Sequence, residues 1–379
     1  MKIKDLFKNG KKIGLITNGR SQKKIDRESI IIHHYCPHTF NVGDHFVIRS
    51  IRKYLKQELP ESVFVPFASA GNRGWGKPTR LQSANINKSN KYADAVIVGG
   101  SDQYNNWDLR INKDEITKLV PPLYLIGLGA SSKNINEPPF IKHDSYWEDI
   151  KVSHQTARFS SVRDLFTQKF LEKAGYNKSI VTGCPALHLF NEELHLNKSG
   201  YVALTFPFPV ISNRNRDLYS GLIKKIKVLI KNLKDDNLKP VIACHDDRDV
   251  FVAQENFPEE KIFFSNYVDE FIDFYRSASI VIGSRLHASI FTAGLGKPFI
   301  NINIDFRGQA FSNTFGLENW NINIDDDTFD SKLKTRYDMI LSDDLSEFDN
   351  FLKLKSKYRA VYLEFMKKVA QDIKEQLAR

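Results

Sequence analysis

Cysteine is scarce in this 379-residue sequence, and the three that occur lie far apart, at Cys36, Cys184 and Cys244. An odd number of widely spaced cysteines argues against a disulfide framework and suits a reducing compartment. The sequence also lacks any run of about twenty apolar residues, the length that a membrane-spanning helix requires. Its first residues are charged and lack the apolar core of a secretory signal. We therefore expect free thiols in a soluble, cytoplasmic protein.

Acidic residues are fewer than basic ones, 45 against 55, so the formal net charge is +10. Such a balance suggests nucleic acid, an anionic membrane surface or a phosphorylated substrate as partner. We find no helix-turn-helix, zinc finger or aromatic-basic ribonucleoprotein motif, and no uninterrupted basic run, so nucleic acid is not expected. A solvated, lysine-rich surface is the simplest interpretation. Peripheral contact with the inner membrane surface stays open.

The sequence predicts no metal site. The run from His33 to His38 contains the residue types that bind zinc, including His34 and Cys36. Adjacent histidines point to opposite sides of an extended strand, however, and Pro37 interrupts the run. No matching pair of cysteines or histidines occurs elsewhere at ligand spacing.

Short apolar runs alternate with helical patterns along most of the chain, which predicts an α/β fold with parallel sheets. The runs of the first half are Ile13–Thr17, Val63–Phe67, Ala95–Val98, Leu123–Leu128, Phe159–Val162 and Ile180–Thr182. A polar stretch over residues 194–200 separates them from Tyr201–Phe206, Pro240–Cys244, Ile262–Phe264, Ile280–Gly283 and Phe299–Ile304. We expect two Rossmann-like domains, residues 1–195 and 196–345, facing a central cleft. An amphipathic helix over residues 346–379 then returns to the first domain.

The strongest chemical signal lies in the stretch from Ser279 to Ile304. A buried strand ends at Gly283, Ser284 and Arg285 follow, and a helix begins near Leu286, so Arg285 and His287 sit at the mouth of a helix N-terminus. Arginine offers a planar fork for a carboxylate or phosphate, and histidine exchanges a proton near neutral pH. A structural alternative pairs Arg285 with a nearby acid and makes His287 a helix cap. We favour an anion-handling active site.

Two other segments end predicted strands at the same cleft, and a third begins a predicted helix. Gly99, Gly100 and Ser101 expose bare backbone to which a ligand could come close, although many such turns bind nothing. His245 follows the strand Val241–Ala243 and is a reserve candidate for the substrate site; the alternative is a surface histidine paired with Asp246 or Asp249. Asp44 begins the first amphipathic helix and is placed to cap it.

These motifs resemble the polysaccharide pyruvyl transferases. The resemblance rests on Ser284-Arg285-Leu286-His287-Ala288 followed by Gly296-Lys297-Pro298, and on four earlier segments in the family's order: Asn41-Val42-Gly43-Asp44, Val96 to Ser101, Ser161-Val162-Arg163-Asp164 and Thr182 to Ala186. It covers roughly residues 35–310.

The resemblance implies a two-domain fold similar to the GT-B glycosyltransferases, with the acceptor on the first domain and the donor on the second. Phosphoenolpyruvate would be the donor substrate, with no cofactor and no metal, and a sugar of a surface polysaccharide, cell-wall polymer or glycan precursor the acceptor. The acceptor sugar, the ketal's linkage and stereochemistry, and the oligomeric state are left open. The runner-up is a GT-B-like glycosyltransferase with a nucleotide-sugar donor.

The same resemblance implies roles for individual residues. His287 is expected to be the general acid, Arg285 to hold the donor's carboxylate or phosphate, and Arg163 to supply a second cation across the cleft. Asn41, Gly43 and Ser284 are expected to bind the substrate beside these residues. Asp44 is either the base that takes the acceptor's proton or part of a helix cap and nothing more.

Overall fold

The structure, a computed structural model, describes residues 29–37, 41–68, 81–100, 104, 111–130, 144–198, 200–207 and 216–378. The predicted strand Ile13–Thr17 lies outside these residues, as do His38 and Ser101. Within them, strands and helices alternate and form two parallel sheets. The predicted α/β architecture is confirmed.

The first sheet has the strand order β2-β1-β3-β4-β5-β6 and is parallel throughout. Its two central strands, β3 and β4, are continuous apolar runs and are buried along their whole length. The elements of this half are β1 Ile30–Cys36, α1 Val42–Glu58, β2 Ser62–Ala68, α2 Ser83–Tyr92, β3 Ala95–Gly99, α3 Lys113–Ile116, β4 Leu123–Leu128, α4 Asp144–Thr156, β5 Phe159–Val162, α5 Leu165–Lys173, β6 Ile180–Val181 and α6 Pro185–His188.

The second sheet has the order β12-β11-β10-β7-β8-β9 and is also parallel. Its elements are β7 Tyr201–Thr205, α7 Arg216–Asp235, β8 Pro240–Ala243, α8 Asp247–Asn256, β9 Lys261–Phe263, α9 Val268–Ser277, β10 Ala278–Gly283, α10 Leu286–Gly294, β11 Phe299–Asn303, α11 Phe306–Phe315, β12 Asn321–Asn323 and α12 Phe329–Leu341. The boundary that we predict between residues 195 and 196 falls in the segment that joins the two sheets; as a domain limit it stays a prediction.

A long C-terminal helix, α13 over Asp349–Ala378, connects the two halves. Toward its end, Asp372 accepts a hydrogen bond from the Tyr124 hydroxyl (2.7 Å) and pairs with Arg158 (2.6 Å), both in the first half. Near its start, the buried ammonium of Lys355 donates to the carbonyl of Ala293 (2.8 Å) at the end of α10. The helix therefore returns to the first half as predicted.

The described residues contain no helix that is long and apolar enough to cross a membrane. Cys36, Cys184 and Cys244 are all buried free thiols, as the sequence analysis expects.

Candidate active site

The turn between β10 and α10 is set by a crowded glycine. A Cβ on Gly283 would lie 2.1 Å from the hydroxyl oxygen of Thr205 and 2.2 Å from the Thr205 carbonyl on strand β7, so no other residue fits. The amide of Ser284 then donates to the same carbonyl (2.9 Å). Arg285 occupies the N-cap position without a side-chain cap, and α10 begins at Leu286, as predicted. The first amides of α10 are thereby presented at the carboxyl edge of the second sheet.

The Arg285 side chain lies behind this turn, in contact with a carboxylate. Its Nε donates to Asp249 Oδ2 (3.1 Å) and its Nη2 to Asp249 Oδ1. Arg285 is 7% exposed and Asp249 is fully buried. The ion pair of the structural alternative is therefore present. Because a guanidinium has five donors, the pair still leaves Nη1 for a ligand.

His287 faces the first half of the molecule. Its Nδ1 lies 3.9 Å from Asp44 Oδ1, and the two side chains are 16% and 15% exposed. This distance is too long for a hydrogen bond. The structure thus brings together two of the predicted catalytic residues, from opposite halves of the chain.

Asp44 is not the cap of helix α1, and the sequence-based assignment was wrong on this point. The N-cap is Asn41, whose side-chain oxygen accepts from the amide of Gly43 (2.9 Å), and the helix begins at Val42. Asp44 lies in the first turn of α1. The alternative that the segment from Asn41 to Asp44 serves only as a helix cap therefore holds for Asn41 alone.

Gly43 lets helix α1 approach helix α10 closely. A Cβ on Gly43 would lie 2.6 Å from the Cβ of His287 and 2.8 Å from its Nδ1. One turn further along α1, Phe46 stacks on Phe291 of α10 with ring centroids 3.7 Å apart, and both rings are fully buried. Helix packing between the two halves thus sets the position of His287 relative to Asp44.

His245 has a supporting place in this contact. Its carbonyl accepts from the amide of Val42 (3.0 Å), and its ring Nε2 is hydrogen-bonded to the Tyr275 hydroxyl. The side chain is 1% exposed, so the alternative of a surface histidine was wrong. Burial, and next the positive charge of Arg285, hold the pKa of His245 well below its ordinary value. A lowered pKa favours the neutral form of the His245 imidazole.

Arg163 lies at the carboxyl end of β5 and is 5% exposed. Its Nε donates to Asp164 Oδ2 (3.0 Å) and its Nη2 to the carbonyl of Ala130 (3.2 Å). A Cβ on Gly129 would lie 2.3 Å from the guanidinium carbon, so the glycine makes room for the arginine. In the first sheet, β5 lies three strands from β1, about 14 Å at the usual strand spacing. Arg163 and Asp44 therefore share one edge of the sheet at separate places.

The glycine turn after β3 is filled by helix α1. A Cβ on Gly99 would meet Ile51 at 2.6 Å, and one on Gly100, whose φ is +77°, would meet Val47 at 2.1 Å. Side chains of α1 thus occupy the space beside these two glycines to which we predicted that a ligand would come close. Ligand contact with Gly99 or Gly100 stays a prediction, and Ser101 lies outside the described residues.

Sequence reasoning missed two residues at this site, Asp249 and Thr205, whereas Ser284 was among the expected substrate-binding residues. Asp249 was considered only as a partner of His245, because nothing in the local pattern places it beside Arg285. The hydroxyls of Thr205 and Ser284 flank the β10–α10 turn, are buried, and have no hydrogen-bond partner among the residues that the structure describes. A glycine that ends a buried strand was the signal for the Thr205 contact.

The described residues contain no cluster of three or more histidine, cysteine or carboxylate groups that could hold a metal ion. The arginines at the cleft edge are each paired with an aspartate. These pairs are Arg163–Asp164, Arg248–Asp246, Arg285–Asp249 and Arg307–Asp305. Positive charge at this edge is therefore locally compensated and oriented.

Solved structures share this architecture at low identity. A putative UDP-N-acetylglucosamine 2-epimerase from Listeria monocytogenes is 13% identical, with a TM-score of 0.54 over 86% of this chain and 91% of that chain. The Methanocaldococcus jannaschii UDP-GlcNAc 2-epimerase, in complex with UDP-GlcNAc and UDP, is 12% identical, with a TM-score of 0.52 over 88% and 99%. The wall teichoic acid polymerase TagF is 13% identical, with a TM-score of 0.51 over 92% and 90%. The chain thus has the GT-B fold.

Within that fold class, the sequence identifies the family. The polysaccharide pyruvyl transferase family matches residues 41–305, a span that runs from the cap of α1 to the cap of α11 and includes Asp44, Arg163 and His287. The chain belongs to this family and is a transferase, as the resemblance implied. No curated protein matches the chain.

Proposed function

We propose that this protein moves the pyruvyl group of phosphoenolpyruvate onto a sugar of a surface polysaccharide, cell-wall polymer or glycan precursor, as a ketal. The observation that carries the proposal is the pair formed by Asp44 and His287, 3.9 Å apart at the N-terminus of α10 and contributed by opposite halves of the chain. An acid and a base side by side suit a reaction that both adds and removes a proton.

The chemistry requires both groups. His287 protonates the methylene carbon of the donor, which leaves a cation at the neighbouring carbon that oxygen stabilises. A hydroxyl of the acceptor attacks that carbon while Asp44 accepts its proton. Phosphate then departs, and a second hydroxyl closes the ketal. The two hydroxyls of the acceptor lose one proton each. One of these returns His287 to its protonated form, since the new methyl group now holds the proton that His287 gave. The other leaves with phosphate, so the protons balance.

Anion binding falls to the N-terminus of α10 and to the arginines. The amides of its first turn and the remaining Nη1 of Arg285 suit the donor's carboxylate or phosphate. Arg163 at the end of β5 is the second cation, on the side of the first sheet. Because Arg285 and Arg163 are each held by an aspartate, their donors are oriented before any ligand binds.

The direct test incubates the protein with phosphoenolpyruvate and a panel of lipid-linked and nucleotide-linked sugars, and measures released phosphate and the mass of the product. We expect phosphate release to depend on an acceptor that gains a pyruvyl group. His287→Asn should lower kcat by about 100-fold or more, the usual contribution of a general acid. His195→Asn is the same change at an exposed histidine in the segment that joins the two sheets, and it should leave kcat unchanged.

A donor comparison separates the proposal from its runner-up. Phosphoenolpyruvate should raise the melting temperature because a ligand stabilises the state that binds it. Stabilisation by a nucleotide sugar and none by phosphoenolpyruvate would replace the proposal with a glycosyltransferase. Wild-type turnover in the His287→Asn variant would remove His287 from the mechanism.

A further inference from the structure

The buried carboxylate of Asp249 contacts Arg285 through two hydrogen bonds, although 36 residues separate them in the sequence. Both side chains are at least nine-tenths buried, with 8% exposure for the arginine side chain and 1% for the aspartate. Asp249 Oδ2 also accepts from the amide of His245 (3.2 Å). One carboxylate therefore joins the end of β8 to the residue that caps α10.

Asp249 is not needed to begin its own helix. The N-cap of α8 is Asp246, whose side chain accepts from the amide of Arg248 (3.0 Å). Asp249 lies in the first turn of α8, and its carboxylate is directed at the neighbouring segment after β10. Its carboxylate thus contacts Arg285 and the amide of His245 at the candidate site.

A buried ion pair is also a poor way to gain stability, because desolvation of both charges offsets their attraction. The pair instead fixes the orientation of the Arg285 guanidinium. With Nε and Nη2 both bonded to one carboxylate, the guanidinium plane cannot rotate, and the position of its Nη1 is set. A one-ångström displacement of a group that binds a reacting substrate is enough to lower turnover by about 100-fold.

We propose that Asp249 is a positioning residue, which holds the Arg285 guanidinium so that its Nη1 can donate a hydrogen bond to the anionic group of the donor substrate. The proposal rests on the assignment of Arg285 to donor binding. It predicts that the effect of Asp249 on turnover depends on Arg285, and this dependence can be measured.

The test is a double-mutant cycle of Asp249→Asn and Arg285→Ala, with kcat and KM for phosphoenolpyruvate measured in each variant. Asp249→Asn alone should lower kcat/KM by about 100-fold. In the Arg285→Ala background the same change should lower it no further, because the residue through which Asp249 acts is gone. An equal loss in both backgrounds, or wild-type kcat/KM in Asp249→Asn, would overturn the proposal.

A matched control is available in the same half of the molecule. Asp269 also lies in the first turn of its helix, α9, and pairs with an arginine, Arg49 (2.6 Å), but it is exposed. Asp269→Asn should leave kcat/KM unchanged. If Asp249→Asn does not fold, Asp249→Glu keeps the charge while shifting the carboxylate by one methylene. The proposal then requires a lower kcat/KM with a normal circular dichroism spectrum, and wild-type kcat/KM would refute it.

Binding of inorganic phosphate tests the positioning role of Asp249 without the pyruvyl reaction. Thermal shift should show a Kd for phosphate that rises about tenfold in Asp249→Asn, as expected when a preorganised donor is released. Asp269→Asn should bind phosphate like the wild type. A phosphate Kd that is equal in wild type and Asp249→Asn would overturn the positioning role, whatever the donor of the reaction.

Discussion

Replacing Gly43 with alanine tests whether the contact between α1 and α10 sets the active site. The added Cβ would lie 2.6 Å from the Cβ of His287, whereas carbon atoms in good contact are about 3.5 to 4.0 Å apart. One helix must therefore move by about 1 Å. Because the clash is with an atom next to the backbone, a rotamer change of His287 does not relieve it.

Two magnitudes follow for Gly43→Ala. Overpacking typically costs about 1 to 3 kcal/mol, and replacing glycine by alanine inside a helix returns about 1 kcal/mol, so the net loss of stability is small, about 0 to 2 kcal/mol. Displacing His287 from Asp44 by about 1 Å should lower kcat by about 100-fold. Activity should thus fall much further than stability.

Pyruvyl transfer and urea unfolding measure the two effects. Gly221→Ala is the matched control, because Gly221 lies in helix α7 and a Cβ there meets nothing within 4 Å. It should raise stability by up to about 1 kcal/mol and leave kcat unchanged. Wild-type kcat in Gly43→Ala would show that the distance between His287 and Asp44 does not govern the reaction.

Three further outcomes are expected. Asp44→Asn should lower kcat by about 100-fold, whereas the free energy of unfolding should change by less than about 1 kcal/mol because Asn41 caps α1. An unchanged kcat would exclude Asp44 as the base. Asp164→Ala should cost about 3 kcal/mol or more in urea unfolding, since it removes the cap of α5 and leaves buried Arg163 without its carboxylate; a loss below about 1 kcal/mol would contradict the ion pair. Burial lowers the pKa of Lys355 to about 8, so above that pH the folded protein binds fewer protons there than the unfolded chain. The wild type should accordingly gain about 2 kcal/mol over Lys355→Met between about pH 7 and pH 9.5; parallel stabilities would refute this.

The apolar runs that we predicted as strands match the observed strands closely. Leu123–Leu128 and Phe159–Val162 have the same ends in the sequence and in the structure, and most other apolar runs differ from their strands by one or two residues. Two strands were missed for a physical reason. Strand β1 contains the buried polar residues His33 and His34, and β12 has asparagine at two of its three positions, so neither forms an apolar run.

The start of helix α10 could be inferred locally. A glycine after a buried strand, followed by Arg285 and His287, is a short-range pattern, and the helix begins where that pattern indicates. The partner of Arg285 could not be inferred in this way. Strand order places β7 between β10 and β8, so Asp249 meets Arg285 across a neighbouring strand that is distant in sequence.

Local periodicity and short motifs were sufficient to assign the α/β class, the family and the residues that carry ionisable groups to the ends of strands. The fold was needed to show that His287 of the second half faces Asp44 of the first, and that Arg285 is held by a buried carboxylate. Both contacts depend on strand order and on the packing of α1 against α10. A glycine-sized gap at Gly43 is visible only once the two helices are in contact.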